Sequence, residues 1–348
     1  MHSNNQGPSK RDTSEISATK IGVLLVNLGT PEHCDRISVR KFLAEFLSDR
    51  RVIELSPWLW QPILQGIILT TRPGKVVRAY RKIWLTDQDE SPLRFFTRRQ
   101  AEELALKMSD YSPSIVVSWA MRYGVPPLRD SLEQLRDQGC KKILVVPLYP
   151  QYSATSTATV TDKVFDILKT WRWQPALRTL PPYFDHPVYI RALADTVTDY
   201  LAKVESRPET IIASYHGLPK QCVEKGDPYF DQCAETTRLL REMLDVDDHY
   251  LQMTFQSRFG PKKWLEPATD QTLIQLAQSG VKRVMVLTPG FAVDCLETLE
   301  EIGIQNREIF VKNGGDRYDL LACLNDSETG IGLLNDLVRQ QLEGWIES

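Results

Sequence analysis

The chain has little that would tie it to a specialised environment. Its six cysteines are scattered through 348 residues with no C-x-x-C pair. That excludes a disulfide framework and a closed thiolate metal cage, and it makes a reducing cytoplasm the default reading. Charge of one sign is not in excess: 42 Lys and Arg face 45 Asp and Glu, a net of −3, so a nucleic-acid binder working by bulk positive potential is excluded. The longest charge-free stretch, 55–71, is interrupted by Pro57, Pro62 and Gly66 and falls short of the roughly 20 apolar residues of a spanning helix. Positions 1–19 are polar, lack the apolar segment of a signal peptide, and read as a disordered tail. No G-x-G-x-x-G follows the first apolar run, and Pro73-Gly74-Lys75 lacks the upstream Gly and the following Ser or Thr of a P-loop. Nucleotide cofactors are therefore unsupported.

What is present is an alternation of short apolar runs with amphipathic stretches. Positions 21–27, 115–118, 143–147, 211–214, 252–255 and 284–287 carry the continuous apolar pattern of buried parallel strands. Helical spacing runs over 39–47, 97–108, 128–138, 161–170, 188–204, 230–244, 269–278 and 331–346. The expected class is α/β, and the length suits two domains with a core each and a cleft between them.

Three signatures recur in the same order in both halves. Leu28-Gly29-Thr30-Pro31 answers His216-Gly217-Leu218-Pro219, and Arg122-Tyr123-Gly124 answers Arg258-Phe259-Gly260. A helix end closing on Gly139 before Lys141-Lys142 answers one closing on Gly280 before Lys282-Arg283. Two similarly built open sheets follow, with ligands at the carboxyl ends of their strands.

Of the five histidines, only His216 combines a strand end with a following Gly and Pro. A histidine at a strand end is commonly structural. A second constellation changes the weighing: after strand 284–287, Asp294, Glu297 and Glu301 fall at i, i+3 and i+7, a spacing that puts three carboxylates on one helix face. Such a face suits a solvated acidic first turn as well as an acidic ridge.

Six segments together, VNLGTP at 26–31, FLSDRRV at 46–52, LYPQYS at 148–153, SYHGLP at 214–219, TFQSRFG at 254–260 and DCLETLEE at 294–301, make the chain resemble the ferrochelatases, from about position 20 onward. The resemblance implies two Rossmann-like domains without a nucleotide, over 20–178 plus 325–348 and over 179–324, with the final helix packed back on the first. It implies insertion of Fe2+ into protoporphyrin IX, the terminal step of haem synthesis. By the same resemblance His216 faces the porphyrin nitrogens, Glu297 is the opposing carboxylate, and both are metal ligands, with Asp294 and Glu301 following as a proton or ion path. Arg72, Lys75, Tyr80, Ser91 and Ser257 would meet propionates or line the mouth, and Leu28, Arg122, Tyr123, Trp264 and Phe291 would surround the macrocycle. For Trp264 and Phe291 the plain alternative is core packing, and for Arg72 and Lys75 it is a solvated basic turn.

Departures from some relatives carry meaning too. Cys295 stands where some have His, removing one possible metal ligand. Ala154, and the lack of a cysteine-bearing tail after Ile346, imply no iron–sulfur cluster. No Tyr stands in the turn Gly29-Thr30-Pro31-Glu32, which favours protoporphyrin IX over coproporphyrin and a proteobacterial type. No tightly bound cofactor is expected; Fe2+ is a substrate.

The chemistry asks for such residues. Inserting a divalent ion into a free-base porphyrin requires removal of two pyrrole protons and stripping of water from the ion, so a base and a transient ligand are both needed. Imidazole and carboxylate bind Fe2+ without closing its coordination shell. A porphyrin or haem carrier would use the same cleft but would have no use for carboxylates facing His216, and a cobalt or nickel chelatase of another tetrapyrrole pathway is the enzymatic alternative. Finally, 58–69 is too apolar for a free surface. It is expected to form a lip of the cleft touching the inner face of the cytoplasmic membrane, on a monomer that is otherwise cytoplasmic.

Overall fold

The computed structural model describes residues 20–260 and 262–346; the expected disordered tail over 1–19 lies outside the described residues. Two parallel four-stranded sheets organise the chain. The first contains β1 (Lys20–Thr30), β2 (Ile115–Gly124), β3 (Cys140–Pro147) and β4 (Ala176–Thr179) in the order β2-β1-β3-β4. The second contains β5 (Thr210–His216), β6 (Leu251–Gln256), β7 (Arg283–Leu287) and β8 (Arg317–Leu320) in the order β6-β5-β7-β8. The orders are the same, so the duplication read from three short signatures extends to topology. The central strands are apolar throughout because both faces of a parallel sheet are covered: Ile21 to Val26 and Ile211 to Ala213 are fully buried. The edge strands β4 and β8 escaped the sequence reading because their short segments mix apolar with charged residues and are only half buried.

The first signature pair holds for a steric reason. A Cβ on Gly29 would lie 1.7 Å from the carbonyl oxygen of Tyr123, and one on Gly217 would lie 2.4 Å from that of Gln256, so in each half the chain leaving the central strand presses on its neighbour's backbone. The second pair is out of register. Arg122-Tyr123-Gly124 lies inside β2, with Tyr123 beside Gly29, whereas Arg258-Phe259-Gly260 lies beyond the end of β6.

Helices cover the sheets: α1 (Arg36–Ser48), α2 (Pro57–Ile63), α3 (Leu69–Thr71), α4 (Pro73–Arg81), α5 (Pro92–Tyr111), α6 (Leu128–Asp137), α7 (Thr157–Leu168), α8 (Pro187–Lys203), α9 (Lys220–Glu224), α10 (Tyr229–Leu244), α11 (Thr269–Gln278), α12 (Arg307–Lys312) and α13 (Glu328–Leu342). Two π-helical stretches, Leu64–Ile68 and Glu297–Asn306, interrupt them. The expectation of one core per half is revised: a single continuous core joins the inner faces of both sheets with α5, α8, α10 and α13. Separate clusters pack α6 and α7 on the outside of the first sheet and α11 and α12 on the outside of the second. A further cluster, built on α1 and the 57–81 helices, rests on Tyr123.

Candidate active site

His216 ends β5, and the turn after it is held on three sides. The Gly217 amide donates to the Gln256 carbonyl at 2.8 Å, the Lys220 amide to the Lys263 carbonyl at 2.9 Å, and the Leu265 amide to the Leu218 carbonyl at 2.9 Å. The imidazole is partly exposed, and its Nδ1 lies 2.7 Å from the Gly217 carbonyl oxygen. A carbonyl only accepts, so Nδ1 carries the proton, and in the neutral ring Nε2 is left as the acceptor. The Phe291 ring stands 6.5 Å away, tilted by 55°.

The acidic segment departs from a regular α-helix. Glu297 opens the π-helix, whose wider turn brings Glu297 and Glu301 onto one side. Both Glu301 oxygens accept from Ser257, one from its amide at 2.7 Å and one from its hydroxyl at 2.5 Å. Burial pushes the Glu301 carboxyl above the usual carboxylate range against the opposing pull of the Ser257 bonds and of nearby His216, and the negative charge of Glu297 adds to the rise. Carboxylates and imidazole are therefore within electrostatic reach of one another. The Cys295 thiol is raised, first by burial and then by the Glu297 charge, and the Tyr80 hydroxyl is raised by the same two causes in the same order.

Asp294 is a correction. It precedes the helix and does not share a face with Glu297 and Glu301. Its carboxylate is buried and accepts from the Thr298 hydroxyl at 2.9 Å and from Asn325 Nδ2 at 2.7 Å, while the Asn325 side chain accepts from the Asp294 amide at 2.8 Å. The short carboxylate finds its donors locally and is spent on fixing the helix entry. Glu300 is buried, accepts from Lys82 Nζ at 2.8 Å, and ties the end of α4 to the π-helix.

The predicted porphyrin contacts divide. Leu28 packs beside the cluster of α1 and the 57–81 helices, with Leu296 in the same cluster, and Phe291 flanks the small cluster of Leu93, Met121, Val293 and Cys295. Trp264 is half-buried, its ring 5.1 Å from that of Phe259 and tilted by 49°, and it donates to the Phe259 carbonyl at 3.0 Å. Arg72 lies 5.2 Å over the ring of Phe259, spanning the two halves, and Lys75 is exposed. Ser91 is buried because it caps α5, accepting from the Arg94 amide at 3.2 Å, and Tyr80 is buried with its hydroxyl 3.4 Å from that of Thr30. Arg122 and Tyr123 turn toward Asp49: the guanidinium pairs with its carboxylate, and the Tyr123 hydroxyl donates to the same oxygen at 2.9 Å.

A cavity of about 820 Å3 is lined by Ser257, Trp264 and Glu301 among others, and another of about 920 Å3 by Asp49, Arg122 and Tyr123; neither is lined by His216 or Glu297. Among the described residues no three of His, Cys, Asp and Glu gather as a metal cage. Residues that sequence reasoning passed over are Asp49, Phe259 and Gln256. All three lie inside the segments that carry the resemblance, which was the one available signal.

The family model described as Ferrochelatase matches residues 20–342. A ferrochelatase of Rhizobium meliloti (strain 1021) is 56% identical over 94% of this chain and 96% of its own length, and one of Brucella ovis is 54% identical over 94% and 93%. Among solved structures, SirB from Bacillus subtilis with Fe3+ is similar in fold, with a TM-score of 0.53 at 12% identity over 94% of this chain and 98% of that one.

Proposed function

The chain belongs to the ferrochelatase family, enzymes that insert Fe2+ into protoporphyrin IX to form protohaem, and on that premise we propose that His216 and Glu297 divide the chemistry of insertion in this protein. The observation that carries the reading is the fixed imidazole. With Nδ1–H committed to the Gly217 carbonyl, Nε2 of the neutral ring is the base at the strand end that takes the pyrrole protons. Glu297 serves as the transient ligand that strips water from the ion, and Glu301, on the same π-helix, passes protons or ions along it. The balance is simple: one ion enters the ring as two pyrrole protons leave. All these groups come from one chain, which supports action as a monomer. No resident cofactor or iron–sulfur cluster is required.

The test is a pair of substitutions. His216→Ala and Glu297→Gln should each abolish insertion while protoporphyrin IX still binds, because apolar and propionate contacts hold the ring. Near-normal turnover in either variant removes that residue from the mechanism.

Membrane contact is the second part of the proposal. On the 57–71 segment Leu64 and Leu69 point into the fold and the Trp60 indole donates to the Leu47 carbonyl, while Trp58 is 90% exposed, Leu59 69%, and Ile67 58%. An exposed apolar face of this kind beside Arg72 and Lys75 suits the interface of a bilayer. No helix among the described residues is long and apolar enough to cross one.

A further inference from the structure

Gln256 is buried and sits at the last paired position of β6, opposite His216. It bonds both sides of the candidate site. Its main-chain carbonyl accepts from the Gly217 amide, next in the chain after His216, at 2.8 Å. Its side-chain Nε2 donates to the main-chain carbonyl of Glu297 at 3.0 Å. The amide is itself oriented: Oε1 accepts from the Ser214 hydroxyl at 2.9 Å, Ser214 is bonded to Thr269 at 2.8 Å, and Thr269 to Thr254 at 2.9 Å. All of these side chains are buried, where a satisfied polar chain is rigid and its loss is felt.

We propose that Gln256 is a positioning residue that sets the separation between the His216 imidazole and the start of the π-helix bearing Glu297, so that base and ligand face one porphyrin at the distance insertion requires. The inference rests on the reading of His216 and Glu297 as the working pair. A β-strand end and a helix start from different parts of the chain have no covalent reason to keep a fixed spacing, and sites that hold reacting groups rely on a locked supporting shell. Gln256 supplies that lock without touching substrate.

Two variants test it. Gln256→Met keeps the length and removes both side-chain bonds; Ser214→Ala leaves the amide and removes the hydroxyl that orients it. Each is measured for the turnover of Zn2+ and of Co2+ with protoporphyrin IX, for porphyrin affinity by quenching of tryptophan fluorescence, and for melting temperature. Gln256→Met should lose turnover by roughly ten- to a hundredfold, as misplacement by a fraction of an ångström does, with porphyrin affinity held within about twofold, the split expected when reacting geometry and not binding is lost. The ratio of Zn2+ to Co2+ turnover should shift, because the two ions respond differently to ligand distance. Ser214→Ala should move in the same direction by less.

Unchanged turnover and metal ratio in Gln256→Met, or a turnover loss matched by equal loss of porphyrin affinity, overturns the proposal. Should Gln256→Met fail to fold, Ser214→Ala decides: reduced turnover with retained affinity supports it, and wild-type turnover overturns it. His216→Ala and Glu297→Gln run alongside. If they stay active, the reading of the pair fails and the proposal with it; if they are inactive while Gln256→Met is normal, only the positioning role fails.

Discussion

Gly217→Ala puts the coupling between fold and site to a quantitative test. The added Cβ would sit 2.4 Å from the Gln256 carbonyl oxygen and 3.3 Å from Trp264 Cε3, whereas ordinary contact begins near 3.4 Å, so turn and strand must part by about 1.0 Å. The closer obstacle is backbone, which has no rotamer to change. Overpacking of this kind costs about 1–3 kcal/mol, and parting the pair also lengthens the 2.8 Å bond from the Gly217 amide, a further loss of about 1 kcal/mol. A total of about 2–4 kcal/mol should lower the melting temperature by several degrees. The same displacement moves His216, so turnover per folded molecule should fall by up to about a hundredfold. Gly332→Ala is the control: it lies within α13 with nothing within 4 Å of the added carbon, and it should be neutral or stabilising by up to about 1 kcal/mol. Thermal melts and the initial rate of Zn2+ insertion, followed by porphyrin fluorescence, measure both effects. A Gly217→Ala protein with wild-type melting temperature and rate would refute the close approach and the role it gives the turn.

Glu300→Gln should lower the melting temperature, since it removes the charge that Lys82 meets across two elements, yet leave turnover per folded molecule nearly intact; a specific loss of turnover at unchanged stability would place Glu300 in the chemistry. A Trp58→Ser, Leu59→Ser double variant should lose sedimentation with anionic liposomes while keeping its insertion rate on soluble substrate, and unchanged sedimentation would sink the lip proposal. Zn2+ and Co2+ should be inserted alongside Fe2+, whereas Mg2+, which holds its water tightly and prefers oxygen ligands, should not; efficient magnesium insertion would overturn the roles given to His216 and Glu297. The purified protein should show no visible absorption beyond that of bound porphyrin, and an iron–sulfur spectrum would contradict the ligand count.

The central strands, the long helices and the duplicated plan were legible in the sequence because each is set by local pattern. Apolar runs such as Ile21 to Val26 mark a strand covered on both faces whatever surrounds it, and the glycines at 29 and 217 mark places where backbone meets backbone. His216 and Glu297 were singled out by the family motifs around them. What the sequence could not show is where a side chain finds its partner across the fold. Asp294 was placed on an acidic face by a spacing that assumes 3.6 residues per turn, but the segment is π-helical and begins after it, so its carboxylate goes to Thr298 and Asn325. That the Ser91 oxygen caps α5 and that the Tyr80 hydroxyl oxygen accepts from Thr30 is likewise decided by packing. The pairings of Arg122 with Asp49 and of Gln256 with Glu297 span 73 and 41 positions, and no periodicity reports a contact of that range. Local pattern is written into the chain because each residue's backbone preference acts on its immediate neighbours. The partner of a buried polar group is decided only when the sheets close on their shared core, water is excluded, and every donor must take whichever acceptor the packing has left beside it.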